Sequence, residues 1–585
     1  MRKIIISFCI LALVLMSTGT VLSQQSKEDQ KFLDIIDDYL EAMWKFYPTQ
    51  ATLEGYHEFD SDLEDMRSRI IERRHDELDK FNQKFVADID QTQLSPEFQI
   101  DHAMIVDGLE LELMKHENLL PWEYDPLFYN HILYHSVRSL MTGDFGNPED
   151  RAKNAVSRLN RLPNLIKQAM DNLKEPPELM TETAIKQFPV IMDFYINEMP
   201  GLIEQAPASE RNNLQSKLND LTPELQKYQT FLTEDLLVNS TGTFRLGTAH
   251  LRLLRATMQS FTTLEQLVAQ AQADQSNITR EMFLVCIPFY RIMYPDINLE
   301  RLTTQKGEDQ VRRMVITGVL EKIQADQPEK TEWISAFRQA RESIKDFFET
   351  SRLIDIPEAK LDIVEMPEFH QGPSLTRLIT PPLYGETPNY QMQIASLDKW
   401  TEEQSQSFLN EYNNMYIPFF TARNIFPGSF VPTAVTFKDA ALIRKLYPNQ
   451  PLLMGWPVLL EEAMVTSGFG NFDLRLRLTQ LKIQLKAVID FNLELNIHQG
   501  GMTKEQAQAY ATRSGFQTEA EAERTWEDII LNPGKAIYTY VGIQELRTME
   551  EDYKAEKGEA FDRKEFLMDV LSHGPIPLRL LREKL

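Results

Sequence analysis

The sequence predicts a mainly α protein, a large multi-helix body with a small antiparallel β-sheet near residues 361–396. Three observations carry this. Apolar residues recur at three- and four-residue steps along most of the chain, the period of one helix face. Between residues 361 and 396 that period gives way to two short alternating runs among prolines. From Asp398 to Leu585 the helical period returns. The composition of the 585 residues, 42% hydrophobic and 25% charged, is that of a folded protein.

The elements follow in order. In "MRKIIISFCILALVLMSTGTVLSQQ", Arg2 and Lys3 precede an apolar run, Ile4 to Met16, of signal-peptide length. Val21 and Ser23 are small enough to sit three and one residues before a cut, so residues 1–23 are expected to be a cleaved secretory signal. An uncleaved membrane anchor is the alternative. Cys9 lies inside the apolar run without a lipobox, which argues against a lipid anchor there. Cleavage leaves Cys286 as the one cysteine, so the mature protein forms no internal disulfide. The expected destination is the periplasm or the extracellular space. Residues 24–585 are expected to form a single large helical domain, with halves of about 24–245 and 246–585.

In "FLDIIDDYLEAMWKF", Phe32, Ile35, Ile36, Tyr39, Leu40, Met43 and Trp44 form one apolar stripe. "RLPNLIKQAMDNLK" repeats the pattern through Leu162, Leu165, Ile166, Met170 and Leu173, and Pro176 and Pro177 stop it. Residues 181–193 restart a helix that the proline rule breaks near Pro189. "NSTGTFRLG" (Asn239–Gly247) is a loop between helical stretches. "LDIVEMPEF" (Leu361–Phe369) and "YQMQIAS" (Tyr390–Ser396) read as strands, with turns at Pro381, Pro382 and Pro388.

No later apolar run reaches the length of a membrane span. The formal net charge of -26 repels nucleic acid and anionic surfaces, so no nucleic-acid partner is expected. Motifs for nucleotide binding, for a serine nucleophile elbow and for H-E-x-x-H zinc sites are absent. His131 and His135 in "HILYH" are four apart and share a helix face. They suit two metal ligands, or two histidines packed in a helix, and no acid lies between them to act as a base.

Spaced motifs in the C-terminal third are "RNIFPGSF" (Arg423–Phe430), "MGWPVLLE" (Met454–Glu461), "LNIHQGGMTKEQA" (Leu495–Ala507), "NPGKAIYTYVG" (Asn532–Gly542) and "VLSHGPIPLRLL" (Val570–Leu581). With "FYPTQATLEGYHEFD" and "FRLGTAHLRLLRA" earlier, their order and spacing resemble the bacterial family known as domain of unknown function 885 (DUF 885). The resemblance implies a metallopeptidase-like helical body. Its motif H-E-x-x-P-G-H-H, followed by E-G-W-A-x-Y-x-E, looks like that of a zinc hydrolase, with histidine ligands and a glutamate that activates water.

This chain departs from that pattern. The matched positions hold Arg423, Asn424, Ser429, Phe430 and Met454. Arginine has no lone pair to give, and a carboxamide is no base near neutral pH. Pro427, Gly428, Gly455 and Trp456 keep the frame, with Gly455 and Trp456 expected at a helix start and Pro533, Gly534 and Gly542 expected in loops. Glu461 and His498 also survive. Each reads either as part of a ligand site or as an ordinary helix acid and loop histidine. No catalytic residue, metal or cofactor is therefore predicted.

The resemblance then implies a pseudoenzyme, an exported, non-catalytic protein whose old cleft binds a peptide, a small molecule or a protein partner, with Arg423 placed to hold a carboxylate. A hydrolase with a rebuilt site, using Glu461 or Glu462 with His498 or the His131–His135 pair, is one alternative. A structural or assembly subunit is another. The oligomeric state is left open.

Overall fold

The structure, a computed structural model, describes residues 26–372, 374–385 and 389–585. The expected signal segment with its cut and Cys9 lies outside the described residues, as does the turn residue Pro388. Among the described residues no helix is long and apolar enough to cross a membrane.

The protein is mainly α-helical. Helix α1 (Lys27–Phe46) starts at a capping box, in which Ser26 and Asp29 satisfy each other's backbone N–H groups. It buries all seven residues of its predicted stripe. Helices α2 (Pro96–Met114), α3 (Pro126–Thr142), α4 (Pro148–Asn172) and α5 (Glu178–Asp193) follow. The expected break at Pro189 does not occur, since α5 runs through it. Proline costs α5 one hydrogen bond, but Phe188 and Ile191 on either side are anchored in the core, and packing outweighs local propensity. Residues 241–247 form the expected loop before α6 (Thr248–Met258). The long helix α7 (Leu264–Met293) carries Cys286, a free, fully buried thiol that burial pushes up to about 12.

The sheet is mixed, which corrects the antiparallel expectation. Strand β1 (Lys360–Glu365) pairs parallel with β3 (Asn389–Ile394), from Lys360 opposite Asn389 to Glu365 opposite Ile394. Strand β2 (Thr376–Ile379), which the sequence did not reveal, pairs antiparallel with β3, giving the order β1-β3-β2. The two recognised strands meet in parallel because β2 and its loops take up the return of the chain. Tyr390, Met392 and Ile394 point into the core, as their alternation predicts.

The C-terminal region supplies, among other helices, α8 (Ile417–Asn424), α9 (Phe430–Asp439), α10 (Gln450–Thr466), α11 (Leu474–His498), α12 (Glu519–Leu531) and α13 (Lys535–Lys557). Helices α10 and α13 cross at two glycines. A Cβ on Gly455 would lie 2.3 Å from the Gly542 carbonyl carbon, and one on Gly542 would lie 1.9 Å from the Pro451 oxygen. Both glycines therefore sit mid-helix, where backbones touch, rather than at a helix start and in a loop. The largest apolar core joins α1 and α2 to residues 333–581, so the early helices share a core with the C-terminal region.

Candidate functional site

The sequence "TARNIFPGSF" folds into the end of α8, a tight turn and the start of α9. The turn closes the helix. Ile425 and Phe426 N–H donate to the Thr421 carbonyl at 3.0 and 2.8 Å, and Gly428 N–H donates to the Ala422 carbonyl at 2.8 Å. A Cβ on Gly428 would lie 2.2 Å from the Arg423 oxygen, so only glycine fits. The Phe426–Pro427 peptide bond is cis. The turn hydrogen bonds hold Arg423 and Asn424 on the last turn of α8 and Ser429 just beyond it.

These residues open onto a cleft of about 330 Å³. Arg423, Asn424, Ser429 and Met454 all line it, although Met454 comes from α10. The edge of the sheet contributes Ser374 and Thr376, and Tyr412, Tyr416, Phe419 and Phe420 form an aromatic wall. Helices α11 to α13 supply a charged wall that includes Lys486, Asp490, Glu521, Arg524, Asp528 and Lys535.

The other singled-out residues lie elsewhere. Phe430 is buried and packs edge-on against Tyr390 at 5.4 Å. Trp456 is fully buried in the core. Glu461 is fully buried and is neither a surface acid nor a cap. Its Oε2 accepts from Arg423 Nε at 3.1 Å, and Arg423 Nη2 lies 2.9 Å away. Burial pushes Glu461 up to about 7 although the Arg423 charge pulls it down. Its Oε1 has no hydrogen-bond partner among the described residues.

His498 is the last residue of α11, buried rather than in a loop. Its Nε2 lies 3.2 Å from the Ile529 carbonyl and its ring 4.9 Å from that of His250. Burial, and the His250 ring beside it, hold His498 below the usual imidazole range. His250 in turn lies 3.0 Å from Glu494 Oε1, and Glu494 accepts the N–H groups of Gly534 and Ala536 at the start of α13. Glu494 is thus a buried helix cap. Glu462 accepts from Gln484 Nε2 at 2.7 Å and from Arg547.

His131 and His135 do share a face of α3, with ring centroids 4.6 Å apart, and His370 stacks on His135 at 5.4 Å. Burial pushes His135 down to about 2, and the neighbouring His131, His370, Arg377 and Arg138 push in the same direction. Glu461, Glu462 and His498 each serve a different partner. Among the described residues no three His, Cys, Asp or Glu side chains are grouped so that they could hold a metal ion.

Sequence reasoning missed the aromatic and charged walls. A usable signal was there. Lys486 and Asp490 are four apart on a largely buried helix, and Glu521, Arg524 and Asp528 recur at steps of three and four on another, where charges need partners.

In comparison with solved structures, the fold matches a protein from Shewanella oneidensis described as a "putative lipoprotein of unknown function", with a TM-score of 0.79 and 22% identity, covering 95% of this chain and 99% of that one. It also matches a "putative lipoprotein" from Colwellia psychrerythraea, with a TM-score of 0.72 and 15% identity, covering 96% and 99%. At these identities the likeness is one of fold. No curated protein matches the chain. The sequence itself matches the family described as "Bacterial protein of unknown function (DUF885)" over residues 48–585, so the chain belongs to that family.

Proposed function

We propose that this protein is exported and acts as a non-catalytic binding protein, with the cleft at Arg423 as its ligand site. One observation carries the reading. Of the five residues matched to the resembled motif, four, Arg423, Asn424, Ser429 and Met454, line one cleft, and the fixed charge of Arg423 there is held by Glu461. A guanidinium at that point repels a divalent cation and supplies donors to a ligand. A volume of about 330 Å³ suits a small molecule or the end of a peptide. Export is supported by the charged start and apolar run of residues 1–23 and by the words "putative lipoprotein" attached to two proteins of the same fold. Cys9 lacks a lipobox, so the lipid anchor is not carried over.

Three measurements test the reading. Protein purified without chelators is expected to hold less than about a tenth of an equivalent of zinc per chain. About one equivalent that survives dialysis overturns the reading. In a thermal-shift screen of tripeptides and small metabolites, at least one compound is expected to raise the Tm of the wild type but not of Asn424→Trp, which fills the cleft. Zinc-dependent peptide cleavage by the pure protein would sink the proposal.

A further inference from the structure

Most of the ion pairs around the cleft share an orientation. In four of the five the cation is the more exposed partner, and in the fifth, Lys486 with Asp490, the two are nearly equal. The Arg423 side chain is 17% exposed and Glu461 0%. Arg524 is 16% exposed against 5% for Glu521, and Lys535 41% against 31% for Asp528. Lys486 is four times as exposed as Glu521, its second acidic neighbour at 3.3 Å, and nearly equals Asp490.

The carboxylates are also occupied by the protein itself. Glu521 accepts from the Tyr412 hydroxyl at 3.0 Å, Asp490 from Gln517 Nε2 at 3.1 Å, and Asp528 from Asn532 Nδ2 at 2.8 Å. A cationic ligand would have to compete with these donors for each acid. The cations are engaged as well, Lys486 by Asp490 and Lys535 by Asp528, but a guanidinium carries five N–H donors and Arg423 turns only Nε and Nη2 toward Glu461, which leaves donors for an anionic ligand. Opposite them, Tyr412 has turned its hydroxyl to Glu521. Its ring, with Tyr416, Phe419 and Phe420, gives an apolar surface.

From this orientation we infer that the cleft takes a small anion, a carboxylate or a phosphate, joined to an apolar body that rests on the aromatic wall. The inference rests on the binding role proposed above and names its ligand chemistry. The anionic group lies among Arg423, Lys486, Arg524 and Lys535, and the body lies toward Tyr416 and Phe420.

The test is calorimetric titration of the full chain at low salt with three probes of nearly one shape, 3-phenylpropionate, 3-phenylpropylamine and 3-phenylpropionamide. Phenyl phosphate is run in parallel to separate phosphate from carboxylate as the preferred anion. The propionate or the phosphate is expected to bind at least about tenfold more tightly than the amine and the amide, with affinity falling as salt rises. Lys535→Gln, at the exposed mouth, is expected to weaken the anion about threefold or more with unchanged Tm, while Lys535→Arg retains it. Equal or tighter binding of the amine or the amide overturns the inference, and so does the absence of binding by both anions. If a compound from the thermal-shift screen binds while both anions fail, the anion inference falls and the binding role stands. Stoichiometric zinc removes the binding role itself.

Discussion

Arg423 Nη2 lies 2.9 Å from Glu461 Oε2, and Nε of the same arginine lies 3.1 Å from that oxygen. The pair ties the end of α8 to the middle of α10 and so holds one wall of the cleft. Removing one partner of a buried pair leaves the other charge without compensation. Arg423→Met is expected to lower unfolding stability by about 2–4 kcal/mol. The double variant Arg423→Met/Glu461→Leu should recover most of that loss. Urea denaturation of the two variants and of Glu461→Leu alone completes the cycle.

The same glutamate makes stability depend on pH. Its carboxyl is held near 7 in the fold by burial, against an ordinary value of 4.5. The folded state therefore binds this proton more tightly than the unfolded one. The corresponding stability is fully present below about pH 4.5 and is lost as pH rises through about 7. Glu461→Gln keeps the neutral form at every pH. Its stability relative to wild type is expected to rise between pH 4.5 and 7.5, by about 3 kcal/mol at most. Parallel denaturation curves across that range check this, and a flat difference would count against a raised Glu461.

The histidine cluster of His131 and His135 on α3 with His370 beside them gives the opposite slope. Burial holds His131 at about 4, His370 at about 3 and His135 at about 2, with Arg377 pushing each of them down. The unfolded chain takes up these protons near 6.5, so stability is present above that pH and is lost as pH falls below it. His135→Phe is expected to move the midpoint of acid unfolding to lower pH. Circular dichroism followed from pH 7 to 3 reads the shift.

The crossing of α10 and α13 leaves no room for a methyl group. Gly455→Ala and Gly542→Ala each place a Cβ within 2.3 Å of backbone atoms that no rotamer change can move. Each is expected to cost about 3 kcal/mol or more, or to prevent folding. Gly201→Ala, on a helix with no atom within 4 Å of the new carbon, serves as the control and should be neutral or slightly stabilising. Soluble yield and thermal midpoint distinguish the three.

Much of the fold is legible in the sequence because helix and strand signals are local. The stripe from Phe32 to Trp44 and the alternation of Tyr390, Met392 and Ile394 each lie within a dozen or so positions, and each faces the core as read. Pro189 misled because the proline rule is local too, whereas the packing of Phe188 and Ile191 is not. The Pro-Gly turn was legible as a turn, and its physical task, capping α8 beneath Arg423, emerged only with the Gly428 to Ala422 hydrogen bond.

The sequence by itself determined the mainly helical class, the buried stripe of α1, the core face of β3 and the family. Only the tertiary structure decided the parallel pairing of β1 with β3, the service of Glu494 as a cap, and the meeting of Arg423 with Glu461 across 38 positions. It alone also decided that Arg423 and Arg524 are more exposed than the acids they pair with, Glu461 and Glu521. The reason is physical. A helix or strand face is set by steps of two to four residues, but the partner of a charge is whichever side chain the packing of distant helices brings within about 3 Å.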